Sequence, residues 1–447
     1  MSQTTKRLTG AVALLLPTLC LMAAGAANAQ DATPVLLGHQ AALELDSAGA
    51  SWLGTSTALV LLMTLPGLAL FYGGMVRKKN VIATITQSVG VFAVVSLVWF
   101  IAGYSLAFGQ NASAGLQPFI GSLDMLFLNG VSLKTANALL PGIPEFLFIS
   151  FQMTFAIITP ALITGAFAER FKYSALLLFT ALWSLLVYAP ICHWVWGGGF
   201  LGSAGVLDFA GGAVVHVNSG VAGLVCAIFL GRRKGYGTEV ITAHNPVLTM
   251  IGASLLLVGW IGFNAGSAGA ANDLMGVALL NTILAAAAAA LTWKIVEYIE
   301  KKKVSLIGML SGVVAGLVAI TPAAGFVDPK GAVIIGLIAG PACYASSVWI
   351  KKLLRYDDSL DAFGIHGAGG LIGALLTGVF ATTAINSLSE GANVGAQALG
   401  LLWTIVYSAV GTLIILFICK FTTGLRVSEA EEAAGLDTSL HGEALEH

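Results

Sequence analysis

Along this chain, apolar stretches about as long as a membrane-crossing helix alternate with short polar breaks. Each is near the ~20 residues needed to span a bilayer as a helix. They fall near 51–74, 81–108, 144–167, 173–193, 211–231, 245–267, 274–298, 305–321, 331–350, 362–382 and 398–420. The pattern predicts an all-α polytopic membrane protein with eleven transmembrane helices. A shorter signal precedes them. Lys6 and Arg7 lead into an apolar run over 8–24, and Ala27-Asn28-Ala29 has the small-x-small form of a cleavage site. The expected division is a signal peptide over 1–29, cleaved after Ala29, a membrane domain over 30–421, and a polar tail over 422–447.

Charge gives the orientation. Of the 21 Lys and Arg, Lys6 and Arg7 lie in the leader, and only Lys134 and Lys330 fall on one set of alternate loops. The other seventeen lie on the opposite set, which predicts that face as cytoplasmic, with the mature N-terminus outside and the C-terminus inside. Composition agrees with a membrane protein: 57% of residues are hydrophobic, 10% are charged, and mean hydropathy is +0.89. The 54 glycines suit closely packed membrane helices. Five cysteines without CxxC spacing predict neither a disulfide framework nor a metal site, and no cofactor is expected.

Ionisable residues inside apolar stretches carry the candidate chemistry. His216 follows Asp208 by eight residues, and His366 follows Asp358 by eight. A charged side chain at mid-bilayer costs roughly 2.5–3.5 kcal/mol, so such residues read as functional. With five spans to each half, the two histidines occupy corresponding positions on antiparallel spans. This predicts a 5+5 inverted repeat plus one final helix, with the site at the repeat interface. A second register matches Asp361 to Asp208, and the sequence leaves both open. A lone buried histidine is ordinarily a hydrogen-bonded core residue, whereas two related ones can share a proton and line a path. Asp208 has two readings, an N-cap or a direct role toward substrate. Asp357, Asp358 and Asp361 stand near Lys351, Lys352 and Arg355, where solvated pairing is the plain reading. A hydrolytic triad finds no nucleophile elbow here, so no enzyme activity is expected.

A second group of residues gathers at outward-facing span ends. Phe151 and Phe155 lie on the third span, Trp194 and Trp196 follow the fourth, and Phe263 and Ser267 close the sixth. Trp194 reads as an interfacial belt anchor. The aromatics beside a serine hydroxyl suit a cation–π cage, worth roughly 0.5–2 kcal/mol.

Eight segments together resemble the Amt branch of the Amt/Mep/Rh ammonium transporter superfamily: Pro66 to Gly74, Gly165 to Arg170, Val195 to Gly199, Leu207 to Gly212, Val215 to Asn218, Gly259 to Gly269, Asp361 to Gly367, and Gly424 to Val427. They extend over nearly the whole predicted mature chain. The resemblance implies cation recruitment at Phe155, Trp196 and Ser267, a stacked gate of Phe151 and Phe263, and pore histidines His216 and His366. It gives Asp208 a supporting role, and Asp358 shares that role as its echo. It further implies transport of ammonium or methylammonium across a bacterial inner membrane, among lipids, by a homotrimer, with no nucleic-acid partner. The tail, with Glu429, Glu431, Gly435-Leu-Asp437 and His441-Gly-Glu443, is similar to tails that cooperate with P-II signalling proteins, although the tyrosine expected after Gly442-Glu443 is missing. Too polar for the membrane and too short to fold alone, it is expected to dock on the loops. Alternative readings are an Rh-like gas channel, against which Trp196 and Ser267 speak, and an ammonium sensor, which usually carries an added signalling domain.

Overall fold

The computed structural model describes residues 39–41 and 44–445, so the cleavage expected after Ala29 lies outside it. Among these residues, ten helices are long and apolar enough to cross a membrane: α1 (Ser47–Met75), α2 (Lys78–Phe108), α3 (Glu145–Phe167), α4 (Tyr173–Ser203), α5 (Gly212–Leu230), α6 (Pro246–Gly266), α7 (Asp273–Lys301), α9 (Pro329–Leu354), α10 (Phe363–Phe380) and α11 (Val394–Thr422). The stretch predicted over 305–321 forms a shorter apolar helix, α8 (Leu306–Ile320). A two-stranded antiparallel sheet pairs β1 (His39–Ala41) with β2 (Thr135–Asn137).

Polar residues fix where several spans begin. A membrane offers no water to the free amides of a helix start, so a side chain must accept from them. Asp46 does so for α1, Asn245 for α6, Asn272 for α7, Ser305 for α8, Asp328 for α9 and Asn393 for α11. Pro246 and Pro329 occupy first-turn positions, where the missing N–H costs nothing.

Small residues set the interhelical distances. α7 packs against α8 and α9. There Gly316 and Gly336 lie against the backbone of Ala285, and Gly340 against that of Ala289. A side chain at these positions would separate the helices. α1 packs along α6, α3 along α5, and α8 along α10.

The tail is ordered, as its polarity and length predict. α12 (Glu429–Ala434) begins with a capping box of Ser428 and Glu431, and α13 (Leu436–His441) follows. Both dock on loops at the basic end of the bundle. Lys172 N–H donates to Leu425 O at 2.8 Å, and Val427 N–H to Arg170 O at 3.2 Å. The buried Glu432 carboxylate accepts from Lys234 N–H at 2.6 Å and from Arg426 at 2.7 Å. Asp437 accepts from Ala83 N–H at 2.8 Å, and Leu436 N–H donates to Asn80 Oδ1 at 2.8 Å.

Beneath the tail lies a buried ion network that sequence reasoning placed at the surface. Arg233 donates to Asp357 Oδ1 at 2.8 Å and to Glu169 Oε2 at 3.1 Å, and Arg77 also pairs with Glu169. Asp357 and Asp358 are each 1% exposed, so the expected solvated pairing holds only for Asp361, which pairs with Lys351. Burial would raise the carboxyls of Asp357 and Glu169, but their guanidinium partners hold both below the usual range. Arg170, fully buried, donates to Gly231 O, Ser359 Oγ and Asp357 O, tying three connecting segments together.

Candidate functional site

The site is built where α5 and α10 begin. The Asp208 carboxylate accepts four backbone N–H groups, from Gly211 and Gly212 at 2.8 and 2.6 Å and from Ala213 and Val214 at 2.8 and 3.0 Å. It caps the free amides at the start of α5 from three residues before the N-cap position, Gly211, with both oxygens engaged. Asp358 does the same for α10, accepting from Ala362 at 3.0 Å and Phe363 at 2.8 Å. Asp358, and not Asp361, caps α10 in the way Asp208 caps α5. A left-handed residue follows each cap by three positions, Gly211 at φ +111° and Asp361 at φ +62°.

Eight residues beyond each cap stands a histidine, in both cases within a π-helical turn, Gly212–Val217 and Phe363–Gly367. Such turns widen a helix locally and turn side chains off its regular face. The Nδ1 atoms of His216 and His366 approach to 3.3 Å, with ring centroids 5.3 Å apart and planes inclined by 19°. Since each neutral imidazole offers one donor and one acceptor, one Nδ1 donates and the other accepts. Close helix approach permits this pairing: a methyl group on Gly220 would strike the backbone of Gly367. His216 also stacks on Trp260 at 5.4 Å, and that indole donates to Thr321 Oγ1 at 2.9 Å. The two histidines line a cavity of only about 10 Å³, room for about one water-sized molecule, within walls that include Phe71, Leu162 and Leu256. His216 Nε2 is buried and has no hydrogen-bond partner among the described residues.

A wider cavity of about 370 Å³ is lined by Phe151, Phe155, Trp196, Asp208 and Ser267. The Trp196 indole N–H donates to the main-chain oxygen of Asp208 at 2.8 Å, and its ring stands edge-on to Phe155. Ser267 Oγ donates to Phe263 O at 2.8 Å, so its lone pairs are left to accept. Phe155 stacks on Phe263 at 4.2 Å and 22°. Phe155 lines the wide cavity and Phe263 the narrow one, so this pair lies between them.

Two expectations need correction here. The ring stacked on Phe263 is Phe155, not Phe151. Phe151 lies one turn earlier on α3, edge-on to Phe155 at 5.0 Å and beside Gly266. Trp194 is 1% exposed and donates to Phe119 O at 2.7 Å while packing on Tyr407, so it is a core residue and not a belt anchor.

Residues 51–445 match the family model of the Ammonium Transporter Family. The chain belongs to that family. This ammonium transporter family member is 48% identical over 406 residues to the ammonium transporter of Aquifex aeolicus, covering 90% of this chain and 93% of that one. It is 48% identical over 392 residues to that of Bacillus subtilis, covering 86% and 95%. Among solved structures it resembles Saccharomyces cerevisiae Mep2, with a TM-score of 0.79, 36% identity and coverage of 87% and 91%. A chain described as a sensor Amt protein gives a TM-score of 0.80 at 32% identity, covering 88% and 98%.

Trp260, Gln397 and Arg233 were not assigned roles from sequence. Trp260 sits three residues before Phe263 on α6, a spacing that puts two aromatics on one helix face. Gln397 and Arg233 each act in part through a partner more than 100 residues away, Leu207 and Asp357, and no local pattern marks them.

Proposed function

We propose that this chain transports ammonium across the bacterial inner membrane, by recruiting the cation in the wide cavity and conducting ammonia past His216 and His366. The carrying observation is the unpartnered, buried Nε2 of His216 in a narrow apolar cavity, directly beyond the Phe155–Phe263 stack. A buried polar atom without a partner is costly unless something passing through supplies one. The Trp196 and Phe155 faces offer cation–π attraction, and the Ser267 oxygen accepts a hydrogen bond that ammonium can donate and potassium cannot. A bare cation is too costly to desolvate between the stacked rings, so ammonium passes its proton to water in the wide cavity before the stack and neutral ammonia descends. The imidazole nitrogens then exchange hydrogen bonds with it. Asp208 and Asp358 support the path by capping α5 and α10.

Eleven spans with a 5+5 inverted repeat fit this reading. The matched caps and π-helical turns favour it, as does the packing of α3 on α5 and α8 on α10. The basic end of the bundle is then cytoplasmic, the N-terminus outside, and the working unit a homotrimer met by a P-II protein at that face. A sensor role is the second reading, favoured by the likeness to the sensor Amt protein. Purified protein in liposomes decides between the two. Saturable uptake of labelled methylammonium, competed by ammonium, supports transport. Tight binding of ammonium without uptake above that of empty liposomes overturns it in favour of sensing.

A further inference from the structure

The loop that carries Asp208 is held from outside by one side chain of the final helix. Gln397 on α11 is 2% exposed, and every hydrogen-bonding direction of its carboxamide that the fold needs is used. Its oxygen accepts Leu207 N–H at 2.7 Å, and its nitrogen donates to Leu207 O at 2.8 Å and to Ala374 O on α10 at 3.0 Å. The first two bonds make a two-point pairing with a single peptide segment, as a neighbouring strand would. The third anchors that pairing to the helix that bears His366. One turn along α11, Gly400 admits Val206, whose methyl carbon would lie 2.8 Å from a Cβ at that position. Residues 206–208 are therefore seated against α11 by both shape and hydrogen bonds.

We infer that Gln397 is a positioning residue for the recruitment site, setting the pose of Trp196 through the Leu207–Asp208 segment. The inference rests on the proposed recruitment role of Trp196. A glutamine on a membrane helix is expensive unless fully bonded, so a mere packing role is better served by an apolar side chain of the same length. What the pairing controls follows from the next residue. The Asp208 carboxylate holds α5 by four amide bonds and is secure without help. The half-buried Trp196 indole hangs on one bond to the Asp208 main-chain oxygen. If the Leu207 peptide is loosened, the indole loses its orientation before the α5 cap fails.

The test is a double-substitution cycle of Gln397→Met and Trp196→Leu in liposomes, read as half-saturation concentration and maximum rate of methylammonium uptake. Gln397→Met should raise the half-saturation concentration about fivefold, the effect of losing roughly one net hydrogen bond, with the maximum rate kept within about twofold. Combined with Trp196→Leu, the two shifts should be strongly less than additive, since both act on one indole. If Trp196→Leu alone leaves the concentration dependence unchanged, the recruitment reading itself fails. If Trp196→Leu shifts it but Gln397→Met does not, or the two shifts add in full, the positioning inference is overturned. Should Gln397→Met not assemble, Gln397→Glu serves in the same cycle, keeping the acceptor for Leu207 N–H and losing the donor to Leu207 O. An unchanged half-saturation concentration with a reduced maximum rate in that variant also overturns it.

Discussion

His216 and His366 stand 150 residues apart in the chain, yet their Nδ1 atoms meet at 3.3 Å inside an otherwise apolar cavity. The pair saturates one nitrogen on each ring and turns the other toward its surroundings, which for His216 Nε2 offer no partner. Replacing either histidine by Leu removes that capacity without leaving a buried charge. Uptake should fall at least tenfold, with the protein still reaching the membrane in normal amount. Loss of assembled protein in both variants would make the pair a structural element of the α5–α10 contact.

Gly220 gives an independent check on the same contact. Gly220→Val would push α5 from the backbone of Gly367 and part the two rings. Transport should fall about as far as in the histidine variants. A Gly220→Val protein with full uptake would show that the close approach is dispensable.

Phe155 and Phe151 should separate into two roles. Phe155→Ala opens the stack on Phe263 between the two cavities, so it should weaken selectivity and let water or other small solutes pass. Phe151→Ala leaves that stack intact, so discrimination should survive it. Solute leak through Phe151→Ala but not Phe155→Ala, measured in the same liposomes, would return the gate to the pair first expected.

Hydrophobic patterning made the helices legible because each span must satisfy its own backbone in a medium without water. The histidines and their aspartates were legible for the same reason, as polar residues in an apolar run need a purpose. What the pattern missed is non-local. The choice of Phe155 over Phe151 as partner of Phe263 depends on how far α3 is shifted along α6, since both lie on the same face of α3, one turn apart. Asp357 looked solvated because charges crowd its neighbourhood in sequence, whereas its partner Arg233 comes from a loop 124 residues away. Trp194 looked like a belt anchor because burial by Phe119 and Tyr407 has no sequence signature.

Ser267→Ala removes the one hydroxyl acceptor that lines the wide cavity among the described residues, and a hydrogen bond to a charged group is worth about 1.5–3 kcal/mol. The half-saturation concentration for methylammonium should rise roughly tenfold or more. Competition by potassium should be little affected, because potassium donates no hydrogen bond to that oxygen. An equal loss for both cations would show that the serine only shapes the cavity.

The ion network beneath the tail predicts a pH dependence. Asp357 and Glu169 have carboxyls held below the usual range by Arg233 and Arg77. Each contributes stability that is fully present above the unfolded value near 4 and is lost as pH falls through the lowered folded value. Protection from hydrogen exchange over residues 424–441, relative to the free-chain rate at each pH, should therefore hold at neutral pH and fall only below about pH 4. Arg233→Met leaves the buried Asp357 carboxylate without its ion-pair partner while Glu169 keeps Arg77, a cost of about 3–5 kcal/mol, and should reduce the assembled protein sharply. Normal assembly and slow exchange in Arg233→Met would show that the network is not what seats the tail.

The tail is joined to the membrane domain in part at Glu432, whose buried carboxylate receives Lys234 N–H from the loop after α5 and Arg426 from its own segment. That loop also carries Arg233, whose partner Asp357 immediately precedes the α10 cap Asp358. A continuous chain of bonds thus runs from the tail to the start of the helix that bears His366. Glu432→Ala cuts the chain at its outer end while leaving Arg233, Asp357 and both caps intact. Its effect stays at that end, since Arg426 is partly exposed and keeps its bonds to Leu230 O and Arg232 O. The expected result is a faster-exchanging tail, a severalfold drop in uptake rate with the half-saturation concentration unchanged, and weaker retention of a P-II protein. Deleting residues after Arg426 should give the same pattern in stronger form. If both variants transport at the normal rate and still retain a P-II protein, the docked tail has no influence on the path, and its order is a consequence of packing alone.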